Sequence, residues 1–553
     1  MSLTVKQISS LEKVFLRSDT DFKEINSASC LKGEKYSYQL AVKAENNPEK
    51  SYWDVTVDIS SPLKDFIRVY TVESVPVMLP CYEDHVRFGS DDDYLSKEPG
   101  LYPDLLKPYG DVCKISENKS HAIWLEVCVP ENVKGGVYDI SVTLTTATTP
   151  ATPSMEVTKN LKLDVIDAIL PKQKLKYTNW FHGDCLWTYY NVDHLSDRHF
   201  EIMENFIKTA AEYGMNTILT PIFTPPLDVA VGEERPTIQL VEISYADGRY
   251  SFDFKNLKRY IDIAKSYGIE YFEMAHFFTQ WGAKCTPKII VNGEKKFGWH
   301  VEATDSLYEE FLSQFLPCLI DFLKEEGIKD NTYFHISDEP YSSSLENYCK
   351  AKAVFVKYSQ DVKILDALSH YEFYEQKIVP LPVVSTNRID NFLEQGANDI
   401  WAYYCCSQHI DVSNRFIAMP SSRNRVIGAQ LFKYSIEGFL HWGYNFYYSE
   451  KSKWQINPFL VTDAASGFPA GDAFVVYPGA DGNPLKSLRL LVFNEALQDI
   501  RAFEMASALV GKSEIDKLID KYENVNFAHY PKGADYILEL RESVNSIIKS
   551  HIK

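Results

Sequence analysis

No stretch of about 18 consecutive apolar residues occurs, so nothing in the sequence is long enough to cross a bilayer as a helix. The opening residues, MSLTVKQISSLEKVF, hold no apolar run of signal-peptide length, and the expected location is the cytoplasm. Basic charge is scarce: 57 Lys and Arg face 76 Asp and Glu, a formal net charge of −19. That argues against a nucleic-acid partner, because phosphate binding needs a basic surface. The ten cysteines are scattered and form no C-x-x-C, which argues against a zinc ribbon or a dithiol redox motif. Free buried thiols in a reducing compartment account for them most simply.

What is present is a globular composition. Hydrophobic residues make up 45% of the chain and charged residues 24%, enough to bury a large core. Aromatic residues, at 14%, serve such a core first, but they also offer flat faces to the apolar C–H faces of sugars.

Residues 1–172 read as a β-sandwich domain. The segments KYSYQLAVKA, SYWDVTVDIS, FIRVYTVESV, HAIWLEVCVP and GVYDISVTLTT alternate apolar and polar residues with period two. Turn-rich stretches, AENNPEK, PENVKGG and TTPATPS, separate them. Over 173–511 short apolar strands alternate with amphipathic helices. Strands are expected at 175–184, 216–225, 270–278, 332–339, 362–369, 380–387, 399–406 and 438–448. Helices are expected at 196–214, 256–268, 306–327, 342–359, 423–438 and 487–511. The first three end in Gly214, Gly268 and Gly327, as a left-handed cap favours. Eight strand–helix units predict a catalytic (β/α)8 TIM-type barrel. An open doubly wound sheet is the structural rival, weakened because no glycine-rich phosphate loop follows the first strand. Residues 512–553 are expected to add a short helical extension packed on the barrel.

Such barrels carry their chemistry at the C-terminal ends of the strands. Trp180, His182 and Asp184 lie at the end of the first expected strand. Glu273 and His276 belong to the third, with Trp281 just beyond, and His335, Ser337, Asp338 and Glu339 to the fourth. Asp366 and Asn387 mark the fifth and sixth, Trp401, Tyr403 and Tyr404 the seventh, and His441, Trp442, Tyr444 and Asn445 the eighth. Singly, each fits a core or hydrogen-bonding role. Together they describe a pocket for a polar ligand with apolar faces.

The sharpest feature is HISDEP, residues 335–340, where Asp338 and Glu339 are chain neighbours. Like charges repel, so the fold gains nothing obvious from the pair. A solvated acidic loop would explain it, but strand alternation turns Tyr333, His335, Ser337 and Glu339 toward the barrel axis. Pro340 is expected to hold Glu339 extended, and Asp338 reaches the pocket only through a twist of the strand end. Ordinary glycosidases set two carboxyls on opposite faces of the bond, about 5 Å or more apart. Chain neighbours suit a different division of labour. A charged Asp338 would keep Glu339 protonated as the general acid. Asp338 would also orient a 2-acetamido group whose carbonyl oxygen attacks C1.

Together with ISDEP, the segments WFHGDCLWTYYNV (180–192), GFLHWGYNF (438–446) and GDAFVVYPGADGNPLKSLRLLVFNEALQDI (471–500) resemble glycoside hydrolase family 123 in content and order. LYPDLLKP (101–108) and WLEVCVPENVKGGVYDISVTL (124–144) carry the resemblance into the sandwich. The family's members are β-N-acetylgalactosaminidases. The resemblance implies a retaining, substrate-assisted reaction through an oxazolinium, on terminal β-linked GalNAc such as glycosphingolipid glycans carry. It implies Asp338 as amide-orienting stabiliser and Glu339 as general acid/base. Less directly, it implies His182 and Asp184 as binders of sugar hydroxyls, Tyr403 as holder of the acetamido carbonyl and Trp442 as the floor under the ring. His276 and Asn445 join them as strand-end candidates for substrate binding. One departure is LLVFNEALQDI, on the last helix, where the resemblance leads one to expect more acidic residues.

Three alternatives remain at this level. HGD, His276 and Asp338 suggest a metal-dependent barrel hydrolase. A hexosaminidase preferring GlcNAc differs only in the contact to O4. A glycan-binding protein on a hydrolase scaffold is the non-catalytic reading. The main reading calls for no cofactor and no metal, and its partner is a glycan ending in β-GalNAc.

Overall fold

The computed structural model describes residues 2–47, 50–83, 91–148 and 153–552. The expected turns AENNPEK and TTPATPS lie partly outside them. The chain forms two compact units: Met1–Lys174 with Ser413–Tyr434 and Leu485–Lys553, and Leu175–Val412 with Ser435–Pro484. This division differs from boundaries at 172 and 511. Helices at Ser421–Arg425, Ile427–Lys433 and Leu488–Val510, expected in the barrel, group with the sheets. So do Lys512–Ile519 and Ala534–His551, expected to pack on the barrel. The cause is non-local. A Cβ on Gly428 would lie 2.5 Å from the Ala496 carbonyl oxygen, so only glycine permits that helix contact. Arg425 pairs with Glu495 at 2.8 Å and Asp499 at 2.7 Å, and Arg541 with Asp499 at 3.1 Å and with Glu34.

In the first unit one sheet runs Ser2–Ser9, Lys35–Glu45, Ser120–Cys128, Ile67–Val77 and Gly100–Pro108, all antiparallel neighbours. A second runs Ser27–Lys32, Glu156–Ile169, Gly136–Thr146, Tyr52–Ser60 and Cys113–Ser116. Their inward side chains, among them Trp53, Leu125, Ile140, Val142 and Leu163, form one apolar core.

The second unit is a closed barrel of eight parallel strands. They are β1 (Lys176–Asn179), β2 (Thr217–Thr220), β3 (Tyr271–Met274), β4 (Thr332–Phe334), β5 (Lys363–Leu368), β6 (Leu381–Ser385), β7 (Trp401–Tyr403) and β8 (Gly438–His441). β8 closes the ring against β1, with Lys176 opposite Gly438. Gly438 is required there, since an added Cβ would fall 2.1 Å from the Trp401 ring. Trp180, Leu219, Leu227, Tyr333, Leu365, Val383, Trp401, Tyr403 and Leu440 share one core cluster. Helices Asp197–Glu212, Lys255–Ser266 and Ser306–Glu325 are followed by Gly214, Gly268 and Gly327 at φ 94°, 92° and 69°. Each strand is shorter than its apolar pattern suggests, so His182, His276, Ser337, Asp338, Glu339, Asn387 and Trp442 lie beyond the strand ends, whereas Glu273, Asp366, Trp401, Tyr403 and His441 stay within strands.

Candidate active site

β4 stops at Phe334, and HISDEP is irregular backbone, not strand. It is held by the loop after β3. Phe277 N–H donates to the His335 carbonyl at 3.1 Å, Phe278 N–H to Ile336 at 3.0 Å, and Trp281 N–H to Asp338 at 3.0 Å. Ser337 Oγ donates to the Thr279 carbonyl at 2.8 Å. The turn this produces leaves Glu339 at φ 42°, in the left-handed region, contrary to the extended conformation expected before Pro340. The loop's hydrogen bonds override the local preference, and such strain is typical of functional sites. The result is that Asp338 and Glu339 line one pocket, so the side-to-side alternation of a strand does not apply to them.

Beneath the pair lies a buried charged layer. His335 Nε2 donates to Glu273 at 2.9 Å, and its Nδ1 faces Asp366 at 3.6 Å. Burial alone would lower its pKa, but Asp366 and Glu273 outweigh that and raise it to about 9. His335 is therefore an imidazolium at neutral pH. Asp366 is fixed by Tyr348 Oη at 2.5 Å and Ile336 N–H at 2.9 Å. Glu273 also accepts from Trp180 Nε1 at 3.1 Å, which sets the indole in the pocket wall.

The pocket is a cavity of about 120 Å³, open to solvent. Trp180, Ala367, Tyr403 and Leu440 come from the barrel interior; Trp442 and Phe468 add further aromatic wall; Leu227, Asp228, Gln280, Trp281 and Cys405 complete the rim with the acid pair. Burial pushes the Asp338 carboxyl well above the usual carboxylate range, Glu339 adds to this, and His335 opposes it. Burial also raises Glu339, against the hydrogen bond it accepts from Tyr403 Oη. From the sequence, a charged Asp338 is expected to keep Glu339 protonated; in the structure desolvation is the first cause, and it acts on both acids. Two carboxyls so placed favour sharing a proton over being charged together.

The other expected substrate contacts divide. Tyr403 and Trp442 line the pocket. Trp442 is oriented by its Nε1 donating to Asp472 at 2.8 Å. His182, Asp184, His276 and Asn445 are buried and do not line it. Asp184 takes a bidentate pair from Arg235, at 2.8 and 2.9 Å. His182 Nδ1 faces Arg235 Nη2 at 3.2 Å and its Nε2 the Trp442 carbonyl at 2.8 Å, so the ring accepts at Nδ1 and donates at Nε2. Burial and the guanidinium drive its pKa to about 3, keeping it neutral. Asn445 exchanges hydrogen bonds with the His182 backbone at 2.9 and 3.0 Å. His276 stacks on His335, ring centroids 4.4 Å apart. His182, Asp184 and Asn445 thus find hydrogen-bond partners inside the fold, and His276 packs against the His335 ring. Arg235 contacts both His182 and Asp184. Among the described residues, no group of three or more His, Cys, Asp or Glu is arranged to hold a metal ion.

The catalytic-domain model of glycoside hydrolase 123 matches residues 180–506, which span every residue of the pocket. The chain belongs to glycoside hydrolase family 123. It is thus a glycosidase, and its barrel is the family's catalytic fold. No curated protein matches the chain. A family 123 glycoside hydrolase from Clostridium perfringens, described for glycolipid glycan hydrolysis, superposes with a TM-score of 0.74 at 16% identity. That match covers 100% of this chain and 97% of the other. A GH10 xylanase with a bacterial Ig-like domain, from termite gut, reaches a TM-score of only 0.32 at 10% identity, over 87% of this chain and 100% of its own.

For a family 123 chain, the pocket residue that strand-end reading misses is Asp228. It lies in the loop after β2, eight residues past the strand, where apolar alternation has ended. Its Oδ2 accepts from Lys451 N–H at 2.8 Å, and its own N–H donates to Gln280 Oε1 at 2.8 Å. Burial raises its pKa to about 6, with Lys451 N–H and Arg235 opposing. The only signal in the sequence is the rule that barrel loops on this face carry function.

Proposed function

We propose that the chain is a retaining exo-β-N-acetylgalactosaminidase that releases terminal β-linked GalNAc by substrate-assisted catalysis. The observation that carries this reading is one pocket lined by two chain-adjacent carboxyls, both raised by burial, above a buried imidazolium. Glu339, protonated, gives its proton to the glycosidic oxygen as the C1–O bond breaks. The carbonyl oxygen of the 2-acetamido group forms the new bond to C1. Asp338, as carboxylate, accepts the amide N–H and stabilises the positive oxazolinium; His335 below favours that ionised form. Water then attacks C1 and gives a proton to Glu339, and two displacements retain configuration. Tyr403 positions Glu339 through its hydroxyl. Trp180 and Trp442 offer apolar faces to the sugar, and Asp228 accepts from a ring hydroxyl. The relative's described action on glycolipid glycans supports a glycosphingolipid-type substrate.

Asp228 also favours a second reading, in which it acts as a nucleophile across the pocket in a two-carboxylate scheme. A panel of aryl β-glycosides of GalNAc, GlcNAc and galactose separates the two. Turnover confined to acetamido sugars, with inhibition by a thiazoline analogue of the oxazolinium, is expected. Comparable turnover of the galactoside would overturn substrate assistance, and GlcNAc above GalNAc would make the enzyme a hexosaminidase of the other preference.

A further inference from the structure

Trp281 lines the pocket but has no part in the scheme above. It is 37% exposed, whereas Trp180 on the same pocket is 4% exposed. Its backbone is unusual: Trp281, Gly282 and Ala283 stand at φ 59°, 126° and 52°, three left-handed residues in succession. Tryptophan and alanine adopt that region only when their surroundings hold them there. Here Trp281 N–H donates to the Asp338 carbonyl at 3.0 Å, and Ala283 N–H to the Thr279 carbonyl at 3.2 Å. Gly282 lies flat on the next loop, where an added Cβ would come within 2.7 Å of Ser344 Cβ. Ser344 Oγ in turn accepts from Tyr341 N–H at 3.0 Å. Tyr341 itself is 48% exposed.

We infer that Trp281 is the platform of an aglycone subsite that receives a neutral pyranose. This rests on the reading that Glu339 protonates the leaving oxygen. The leaving group then departs past the acid pair toward solvent, and the exposed ring tied to Asp338 stands on that route. A pyranose has an apolar C–H face that stacks on an indole, and a ring already fixed by its backbone loses little freedom on binding. Among the described residues no Lys or Arg lines the pocket, while Asp228, Asp338 and Glu339 do, so an anionic aglycone such as a uronate is disfavoured.

The test compares a β-GalNAc-(1→3)-galactoside with a trifluoroethyl β-GalNAc, which has an activated leaving group and no ring. In Trp281→Ala the ratio of kcat/KM on the disaccharide to that on the trifluoroethyl glycoside should fall about tenfold, and Trp281→Phe should recover part of it. An unchanged ratio overturns the subsite, whether both substrates slow together or neither does. Trp281→Leu replaces the alanine variant if the latter does not fold. Wild-type enzyme that cleaves neither substrate overturns the underlying reading instead, so the two failures are distinct.

Discussion

Two segments that follow barrel strands carry acids that read alike in the sequence: Asp184 in the short helix Gly183–Tyr189 after β1 and the Asp338–Glu339 pair in the loop after β4. Asp184 is fully buried and held on both oxygens by Arg235, with His182 completing the cluster. Asp338 and Glu339 face a cavity with no guanidinium or ammonium lining it among the described residues, and burial raises both. A carboxylate satisfied by its own fold is spent on structure. One left short of partners keeps its proton and its reach for a substrate. The contrast lies in pairing, not in residue type or position along the strand.

The largest effect expected from this contrast is on turnover. Glu339→Gln and Asp338→Asn should each lower kcat on an aryl β-GalNAc by roughly 10²–10⁴-fold, the range of lost acid–base catalysis, with far-UV circular dichroism unchanged. Near-normal turnover in either variant would remove the distinction between the two segments. Azide should restore activity to Glu339→Ala on activated substrates only, since these need no acid.

The segment after β1 should respond in stability. Arg235→Met leaves Asp184 buried without a partner, which costs about 3–5 kcal/mol. Urea unfolding measures this, and adding Asp184→Leu should recover most of it. An Arg235→Met enzyme of full stability but no activity would instead place this cluster in catalysis.

The fold was legible because its evidence is local and repeated. All eight barrel strands and the glycine-terminated helices follow from period and cap. Helix Leu488–Val510 was legible too, but not the unit it packs in, because its partners, among them Gly428 and Arg425, lie far off in sequence, and a reading along the chain assigns a helix to the strand before it. At the site, the HISDEP pair could be found, since adjacent acids at a strand end need a reason. Its geometry could not: the φ of 42° at Glu339 is set by the β3 loop, which no rule about Pro340 contains. His182, Asp184, His276 and Asn445 lie off the pocket for the complementary reason. Polar residues near strand ends either face the pocket or lock the loops, and only Arg235, His335 and the backbone decide which.

Asp228 gives the finest test, because it sits between the two cases: one oxygen held by Lys451 N–H, and the carboxyl raised to about 6 from an ordinary 3.8. A carboxyl raised in the folded state binds its proton more tightly there than when unfolded. Its contribution therefore favours folding below about pH 4 and is lost as pH rises through about 6. Asp228→Asn removes that loss while its amide oxygen can still accept from Lys451. The variant should match wild type in urea unfolding near pH 4 and exceed it near pH 7.5. A difference that does not vary with pH would show that Asp228 is not raised. Its turnover should fall far less than that of Glu339→Gln, as suits a group that holds a hydroxyl. A loss as large would make Asp228 the nucleophile and turn the site into a two-carboxylate one, with Asp338 reduced to a neighbour.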